Sequence, residues 1–434
     1  MLTPRTRAIF SASIGNMFEW YDFTVYASFA IYIGRSFFPA ADPGANLLKA
    51  FAAFGVGFVV RPLGAILIGN YGDRAGRKAA LTLTISLMAL GTGIIAFAPT
   101  YVAIGVGAPV LLLIGRVLQG FSAGGEIGGA TAFLLESAER AKRGAIASWL
   151  EASMGLSNIL GALAAFLTAA LLSTGDLNAW GWRLPFLFGL LIAPAGIYLR
   201  RSLAETREFQ AEAQRRRELA KVRAPFFEAI QNHRRALLVG FGVSILWAVA
   251  VYVLIVYVPV YVQITFKFTA TQAFAASLVG NVFFVTGCVT FGTLSDRLGR
   301  RPMLLGSAVL LLAAVLPLLH WLQDVPTLGT LIVVQTVFCI LVSSFVGVAP
   351  AGLSEIFPTG VRSTGMALVY NAAFTIFGGF APAILTWFTQ RSGGSVFAPA
   401  WYVMAAAIVA LAAIPFLGEF PELQPAGLSE EAAG

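Results

Sequence analysis

The sequence predicts an all-α integral membrane protein in which twelve transmembrane helices form two six-helix bundles. Of its 434 residues, 58% are hydrophobic and only 12% are charged, whereas a soluble globular chain is about 25% charged. So few ionic groups cannot cover a water-facing surface, which argues against a soluble enzyme, a disordered chain and a fibrous protein. Two further observations carry the prediction: apolar runs of membrane-spanning length recur along the chain, and one polar motif occurs twice.

The apolar runs define the predicted helices. A helix needs about 20 predominantly apolar residues to cross the ~30 Å hydrocarbon core of a bilayer. The predicted spans are 8–38, 47–70, 79–99, 109–135, 145–172, 183–199, 237–264, 272–293, 303–322, 327–353, 362–389 and 400–417. The first span contains acidic residues and lacks a small-residue cleavage site, so it is interpreted as a retained helix rather than a signal peptide.

The charged residues indicate how these helices are oriented. Most of the 29 Lys and Arg residues fall in segments that this topology assigns to the cytoplasm, so the positive-inside rule predicts that both termini are cytoplasmic. The net charge of +8 is then explained by topology, and no nucleic-acid partner is expected. Cys288 and Cys339 both lie in apolar runs, and their spacing predicts neither a disulfide framework nor a metal site.

The repeated motif indicates an internal duplication. GNYGDRAGRK at 69–78 follows the second predicted helix, and GTLSDRLGRR at 292–301 follows the eighth. A second pair of Glu and Arg residues recurs at nearly the same offset, which indicates two six-helix halves in parallel orientation. The predicted domains are an N-terminal bundle (1–199), a central cytoplasmic loop (200–236), a C-terminal bundle (237–418) and a cytoplasmic tail (419–434).

Four other motifs carry a family resemblance. They are GNMFEWYDF at 15–23, RPLG at 61–64, QGFSAGGE at 119–126 and WGWRLPF at 180–186. Together with the duplicated loop, they resemble the metabolite:proton symporter branch of the major facilitator superfamily from about residue 8 to residue 417. The resemblance implies the major facilitator fold and transport of a small metabolite with a proton. Members of this branch carry citrate, 2-oxoglutarate, other carboxylates, shikimate, proline or betaine.

Charged residues inside the predicted helices are the candidate functional groups, because each costs about 2.5–3.5 kcal/mol to place at mid-membrane. All of them lie in the N-terminal half: Glu19, Asp22, Arg61, Arg116, Glu126 and Glu151. Four carboxylates face two guanidinium groups, so two negative charges lack a partner if all ionise. An unpaired buried carboxylate takes up a proton instead. The predicted proton carriers are Asp22, Glu126 and Glu19, and the role of Glu151 stays open.

Arg116 is the predicted anchor for a carboxylate substrate. A guanidinium group offers two parallel hydrogen bonds to a carboxylate and remains charged at any working pH. Asn16, Glu19, Asp22 (or Phe23) and Tyr26 recur at helical spacing and are expected to form one stripe. The full set of predicted substrate contacts is Arg116, Gln119, Asn16, Tyr26, Asn281 and Asn371. The alternative interpretation is that both arginines merely neutralise the two acids of the first helix.

The duplicated loop is the predicted gate. In the family it resembles, this loop braces the cytoplasmic gate between the two halves. Anchoring by positive charge alone explains the basic residues equally well, but it does not explain an acid at the same place in both copies. The predicted gating residues are Asp73, Arg77, Asp296, Arg300 and Arg61.

The predicted function is therefore a proton-coupled symporter that imports a small di- or tricarboxylate of the citrate, tricarballylate or 2-oxoglutarate type. It is expected to act as a monomer in the bacterial cytoplasmic membrane, with the co-transported proton and no cofactor or metal. The alternatives are symport of a zwitterion such as proline or betaine, or of shikimate. Osmosensing members of the branch carry a long C-terminal coiled coil, which is not expected here because the sequence stops at Gly434. A membrane-embedded enzyme is also considered, but no catalytic triad, paired-histidine motif or phosphate loop supports it.

Overall fold

The computed structural model describes residues 4–75, 77–124, 142–201, 225–358, 361–391 and 396–418. The described N-terminal half contains α1 (Pro4–Ser28 and Ala30–Phe37), α2 (Pro43–Val59 and Arg61–Ala75), α3 (Arg77–Phe97), α4 (Gly107–Gly124), α5 (Arg143–Leu171) and α6 (Leu184–Arg201). Short helices at Tyr101–Ile104, Thr174–Ala179 and Gly181–Arg183 lie in its connections.

The C-terminal half follows the same order of long helices. It contains α7 (Arg234–Ala250, π-helical Val251–Tyr257 and Val258–Thr265), α8 (Ala270–Leu298), α9 (Arg300–Asp324), α10 (Leu328–Val346 and Ala349–Ser354), α11 (Arg362–Ala373, π-helical Phe374–Gly379 and Ala381–Arg391) and α12 (Ala398–Ala413 and Ile414–Phe416). A helix at Pro225–Asn232 precedes α7.

The predicted fold class is confirmed. The described residues contain no β-strand, and nine helices within them are long and apolar enough to cross a membrane. The helices begin where their sequences predict a start. The Asp42 side chain accepts a hydrogen bond from the Gly44 backbone N–H, just before Pro43 begins α2, and Thr269 and Gln272 form a reciprocal capping box at the start of α8.

The predicted domain boundaries fall close to the ends of helices. Helix α6 extends to Arg201 and α7 begins at Arg234, a few residues inside the predicted central loop. Residues 202–224 of that loop and the predicted tail, 419–434, lie outside the described residues, whereas 225–232 form the short helix before α7. The division into four domains therefore stays a prediction.

Two glycines of α4 allow it to lie directly on α2. A Cβ atom at Gly120 would lie 1.7 Å from the carbonyl oxygen of Gly57, and one at Gly124 would lie 1.9 Å from that of Arg61. Small residues spaced four apart are a common means of close helix packing in lipid. Because the two backbones approach so closely, Arg61 of α2 and Arg116 of α4 both reach the region beside α1.

Replacing Gly120 with alanine should therefore lower the melting temperature of the purified protein. The new methyl group would overlap a backbone carbonyl, which cannot move as a side chain could, so the cost should reach the upper part of the about 1–3 kcal/mol range of overpacking. Gly306→Ala in α9 is the matched control, because nothing lies within 4 Å of its Cβ position. Equal melting temperatures for the two variants would contradict the close packing.

The two halves contact each other at both ends of the bundle. We call the end that carries the duplicated loops, predicted to be cytoplasmic, the loop-motif end. There, a Cβ atom at Gly144 of α5 would lie 2.4 Å from the carbonyl oxygen of Gly292 in α8. At the opposite end, the rings of Phe29 in α1 and Phe274 in α8 lie 5.8 Å apart. The functional groups described next are thus enclosed between packed helices.

Candidate functional site

Charged side chains buried among the described residues lie only in the N-terminal half. They are Glu19, Asp22, Arg61, Arg116 and Glu151, none more than 5% exposed. The predicted proton carrier Glu126 lies outside the described residues, and so do the side chains of the predicted gating residues Asp73 and Arg77. The buried polar side chains described in the C-terminal half are all neutral.

Arg61 and Glu19 form a buried ion pair between α2 and α1. Their Nη2 and Oε1 atoms lie 2.8 Å apart, and both side chains are at most 1% exposed. The guanidinium group also lies over two aromatic rings, 4.7 Å from the centroid of Phe23 and 4.3 Å from that of Phe58. The positive charge of Arg61 is therefore balanced within the bundle, as the neutralisation alternative expects for this residue. Its gating role stays a prediction.

Arg116 has a different environment. Its guanidinium group donates to Gln119 Oε1 at 2.8 Å and to the carbonyl oxygen of Phe54 at 3.2 Å, and it lies 4.5–4.9 Å from the ring centroids of Phe23, Tyr26 and Phe54. It forms no ion pair with a described residue, and its Nε atom has no hydrogen-bond acceptor. Arg116 is thus a buried cation held by neutral acceptors and aromatic faces.

Asp22 is linked to Arg116 through Gln119. The Asp22 carboxylate accepts hydrogen bonds from the hydroxyl of Thr92 and, at 3.4 Å, from the amide of Gln119. That same amide also donates to Thr92 at 3.0 Å, while its oxygen accepts from Arg116. A change of charge on Asp22 would therefore reach Arg116 through a single shared side chain.

A small cavity lies beside this network within the N-terminal half. Its volume of about 30 Å³ is enough for one or two water molecules. Its polar lining consists of Glu19, Asp22, Thr84, Thr92 and Ser122. Both acids of α1 thus border a space that can hold the water a proton transfer needs.

The predicted stripe on α1 is divided among several partner helices. Asn16 donates to the carbonyl oxygen of Leu150 at 3.0 Å and to Ser153 Oγ at 2.9 Å, both in α5. The Tyr26 ring lies against Arg116, but its hydroxyl donates to the carbonyl oxygen of Ala50 at 3.0 Å. The structure therefore brings Tyr26, Gln119 and Arg116 together, whereas Asn16 connects α1 to α5.

The two asparagines predicted in the C-terminal half resemble each other. The amide of Asn281 donates to the carbonyl oxygen of Ser277 at 2.8 Å, and that of Asn371 donates to Ala367 at 2.9 Å. In each case the buried side-chain oxygen has no hydrogen-bond partner among the described residues. Within the part of the chain that the structure describes, the buried hydroxyl of Tyr252 also lacks a hydrogen-bond partner. Such groups are unusual in native proteins and offer neutral contacts to a polar ligand or to water.

Two of the predicted gating residues connect the halves at the loop-motif end. The Asp296 carboxylate accepts the backbone N–H groups of Gly144 and Ala145, each at 2.9 Å, at the start of α5. Arg300 donates to Asp296 at 2.6 Å and contacts Glu355 at 3.4 Å. A carboxylate from the C-terminal half thus lies at the positive end of a helix of the N-terminal half.

Replacing Asp296 with asparagine should slow transport several-fold and leave the KM nearly unchanged. The variant loses the charge that favours the helix start and the ion pair with Arg300, yet the hydrogen bonds of Asp296 among the described residues go to Gly144, Ala145 and Arg300 and not to Arg116 or Asp22. Initial rates over a range of substrate concentrations would measure this. Glu355→Gln is the matched control, because its carboxylate is 43% exposed and more distant from Arg300. An equal loss in both variants would contradict a specific role for Asp296.

Thr92 is the main participant that the sequence did not reveal. It lies in the run Gly91-Thr92-Gly93 of α3, which resembles a nucleotide-binding fingerprint without the strand that such a motif requires. A Cβ atom at Gly91 would lie 2.8 Å from Cγ of Gln119, so this glycine allows Gln119 to approach the threonine. The signal in the sequence that could have indicated this role is a hydroxyl side chain flanked by two glycines within an apolar helix.

Comparisons with known proteins identify the family and the fold. The family model "Sugar (and other) transporter" matches residues 8–224 and 212–423. A citrate-proton symporter of Klebsiella pneumoniae is 37% identical over 95% of the chain and 92% of its own length. The glycine betaine/proline/ectoine/pipecolic acid transporter OusA of Dickeya dadantii is 34% identical over 95% of the chain and 83% of its own. The proton:xylose symporter XylE superposes with a TM-score of 0.75 at 17% identity, covering 96% of the chain and 95% of that structure.

Proposed function

The chain belongs to the sugar (and other) transporter family of the major facilitator superfamily, and from this premise we propose that it imports a small di- or tricarboxylate of the citrate type together with a proton. The membrane is the bacterial cytoplasmic membrane, with both termini on the cytoplasmic side. The citrate-proton symporter from Klebsiella pneumoniae, at 37% identity over nearly the whole chain, supports this substrate class.

The observation that carries the proposal is the environment of Arg116. A buried guanidinium group without an acidic partner is costly, and a bound anion offsets that cost only while the site is loaded. Arg61 lies in the same bundle, but Glu19 already balances its charge. Among the described residues, Arg116 is therefore the cation to which we assign the binding of the substrate carboxylate.

In this proposal, Asp22 couples the uptake of a proton to the binding of the substrate anion. While it is ionised, its negative charge lies close to Arg116 through Gln119 and opposes the binding of an anion. A proton taken up at Asp22 removes that charge, and Arg116 then attracts the substrate more strongly. When the proton leaves on the cytoplasmic side, the restored carboxylate favours release of the anion.

Uptake into proteoliposomes tests the proposal. With the interior alkaline, radiolabelled citrate should accumulate above its external concentration, and a protonophore should abolish that accumulation. 2-Oxoglutarate and succinate would define how many carboxylates the site accepts. The alternative, a zwitterion carrier like OusA, predicts accumulation of proline or betaine instead, and that result without carboxylate uptake would overturn the proposal.

A further inference from the structure

We propose that Glu151 is a proton-binding site in the seam between the two halves, and that the loop-motif end closes only when this carboxyl group is protonated. The seam is the line of contact between α5 and α8. The proposal rests on the proposed function in one respect, since it assumes that the halves move relative to each other during proton-coupled transport.

Glu151 projects from the N-terminal half into the C-terminal half. It lies in α5, about 12 Å from the helix start at the loop-motif end, and is 5% exposed. Its carboxyl group lies within electrostatic range of Trp247 in α7, Cys288 in α8 and Tyr370 in α11. Every one of these neighbours belongs to the other half.

The seam leaves little space for water around this group. Towards the loop-motif end, Gly144 and Ser148 of α5 pack directly on Gly292 of α8. Deeper in the bundle, a Cβ atom at Gly155 would lie 2.6 Å from the Phe284 ring. Glu151 lies between these two close contacts, so separating α5 from α8 is the direct way to hydrate it.

No described cation balances Glu151. It forms no ion pair with any described arginine or lysine. The groups that face it, Trp247, Cys288 and Tyr370, are neutral in their usual states. On the helices packed around it, Glu19 is paired with Arg61, and Asp296 is paired with Arg300.

An ionised carboxylate in this position would be buried among neutral groups, which is strongly unfavourable. The closed seam therefore requires the protonated form. When α5 and α8 separate at the loop-motif end, water reaches Glu151 and the carboxyl group releases its proton to that side. Closure must then await reprotonation from the same side, so the proton of Glu151 does not itself cross the membrane but makes closure of the loop-motif end depend on the pH there.

Cys288 is a native reporter for this opening, because it is fully buried beside Glu151. Cys339→Ser leaves Cys288 as the only cysteine of the chain. The rate of alkylation by N-ethylmaleimide would be measured in lipid nanodiscs from pH 6 to pH 8 without substrate. Dividing each rate by that of the denatured protein at the same pH removes the intrinsic pH dependence of the thiol.

The corrected rate should rise with pH by up to about tenfold per pH unit, as expected when one proton is lost on opening. In the Glu151→Gln variant, which mimics the protonated form, the corrected rate should be low and independent of pH. Glu151→Asp keeps a titratable group and should retain the rise. An unchanged pH dependence in Glu151→Gln, or a flat profile with Glu151 present, would overturn the proposal. Because no substrate is used, a failure to take up carboxylates leaves this outcome unaffected.

Discussion

Replacing Arg116 with lysine is expected to reduce kcat/KM for carboxylate uptake by about 10- to 150-fold. Lysine keeps the positive charge but presents a single ammonium group in place of the planar fork that binds both carboxylate oxygens. Losing one hydrogen bond to a charged group costs about 1.5–3 kcal/mol, and each 1.4 kcal/mol corresponds to a factor of ten. The two contacts of Arg116, to Gln119 and to Phe54, use different nitrogens of the fork, so replacing the fork by a single nitrogen should weaken the link to Asp22 as well.

The matched control is Arg183→Lys. Arg183 lies in the connection before α6, where it donates to the carbonyl oxygen of Ala98 at 3.0 Å and lies over the ring of Trp182. Its replacement should leave uptake close to the wild-type rate. Melting temperatures would show that both variants are folded. Wild-type carboxylate uptake in Arg116→Lys would remove Arg116 as the substrate anchor.

Replacing Asp22 with asparagine is expected to abolish accumulation against a gradient while exchange of internal for external substrate continues. The amide keeps the shape of the side chain and its hydrogen bond from Thr92, but it cannot bind and release a proton. Arg116 then experiences a permanently neutral neighbour, so substrate still binds and crosses in both directions. Net uptake driven by a pH gradient and counterflow in proteoliposomes would be measured side by side.

Glu19→Gln separates this coupling effect from a structural one. It removes the carboxylate that balances Arg61, and breaking a buried ion pair from one side costs about 3–5 kcal/mol. We therefore expect a marked loss of stability in Glu19→Gln and little in Asp22→Asn. Continued uphill accumulation by Asp22→Asn would assign the coupled proton to another acid, with Glu126 and Glu19 the remaining predicted carriers.

The sequence predicts the fold well because its signals are local. Span length, hydropathy and the recurrence of the loop at 69–78 and 292–301 need no knowledge of packing. The pairing of charges is not a local property. Glu19 and Asp22 are three residues apart and lie on adjacent parts of one helix face, so their spacing gives both acids the same set of possible partners. Which arginine each acid meets depends on how α2, α3 and α4 cross α1, and helical periodicity does not contain that information.

Glu151 and Thr92 illustrate the same limit. The sequence reveals a buried acid at position 151, but the neutrality of its surroundings depends on α7, α8 and α11, which belong to the other half of the chain. Thr92 becomes significant only because Gly91 allows Gln119 to approach it. Both cases depend on contacts between residues that are distant in sequence.

Among the described residues, buried charge is confined to the N-terminal half, and this indicates how such carriers diversify. If the first six helices carry both the ion coupling and the carboxylate anchor Arg116, and the neutral groups of the last six helices contact the rest of the cargo, then the choice among carboxylates can change without a change in coupling. A chimera that joins residues 1–199 of this chain to the second half of a relative that carries another carboxylate should then keep its dependence on the proton gradient and its need for Arg116, while its selectivity among carboxylates changes. The preferred cargo of such a carrier can then change during evolution while its proton coupling is retained.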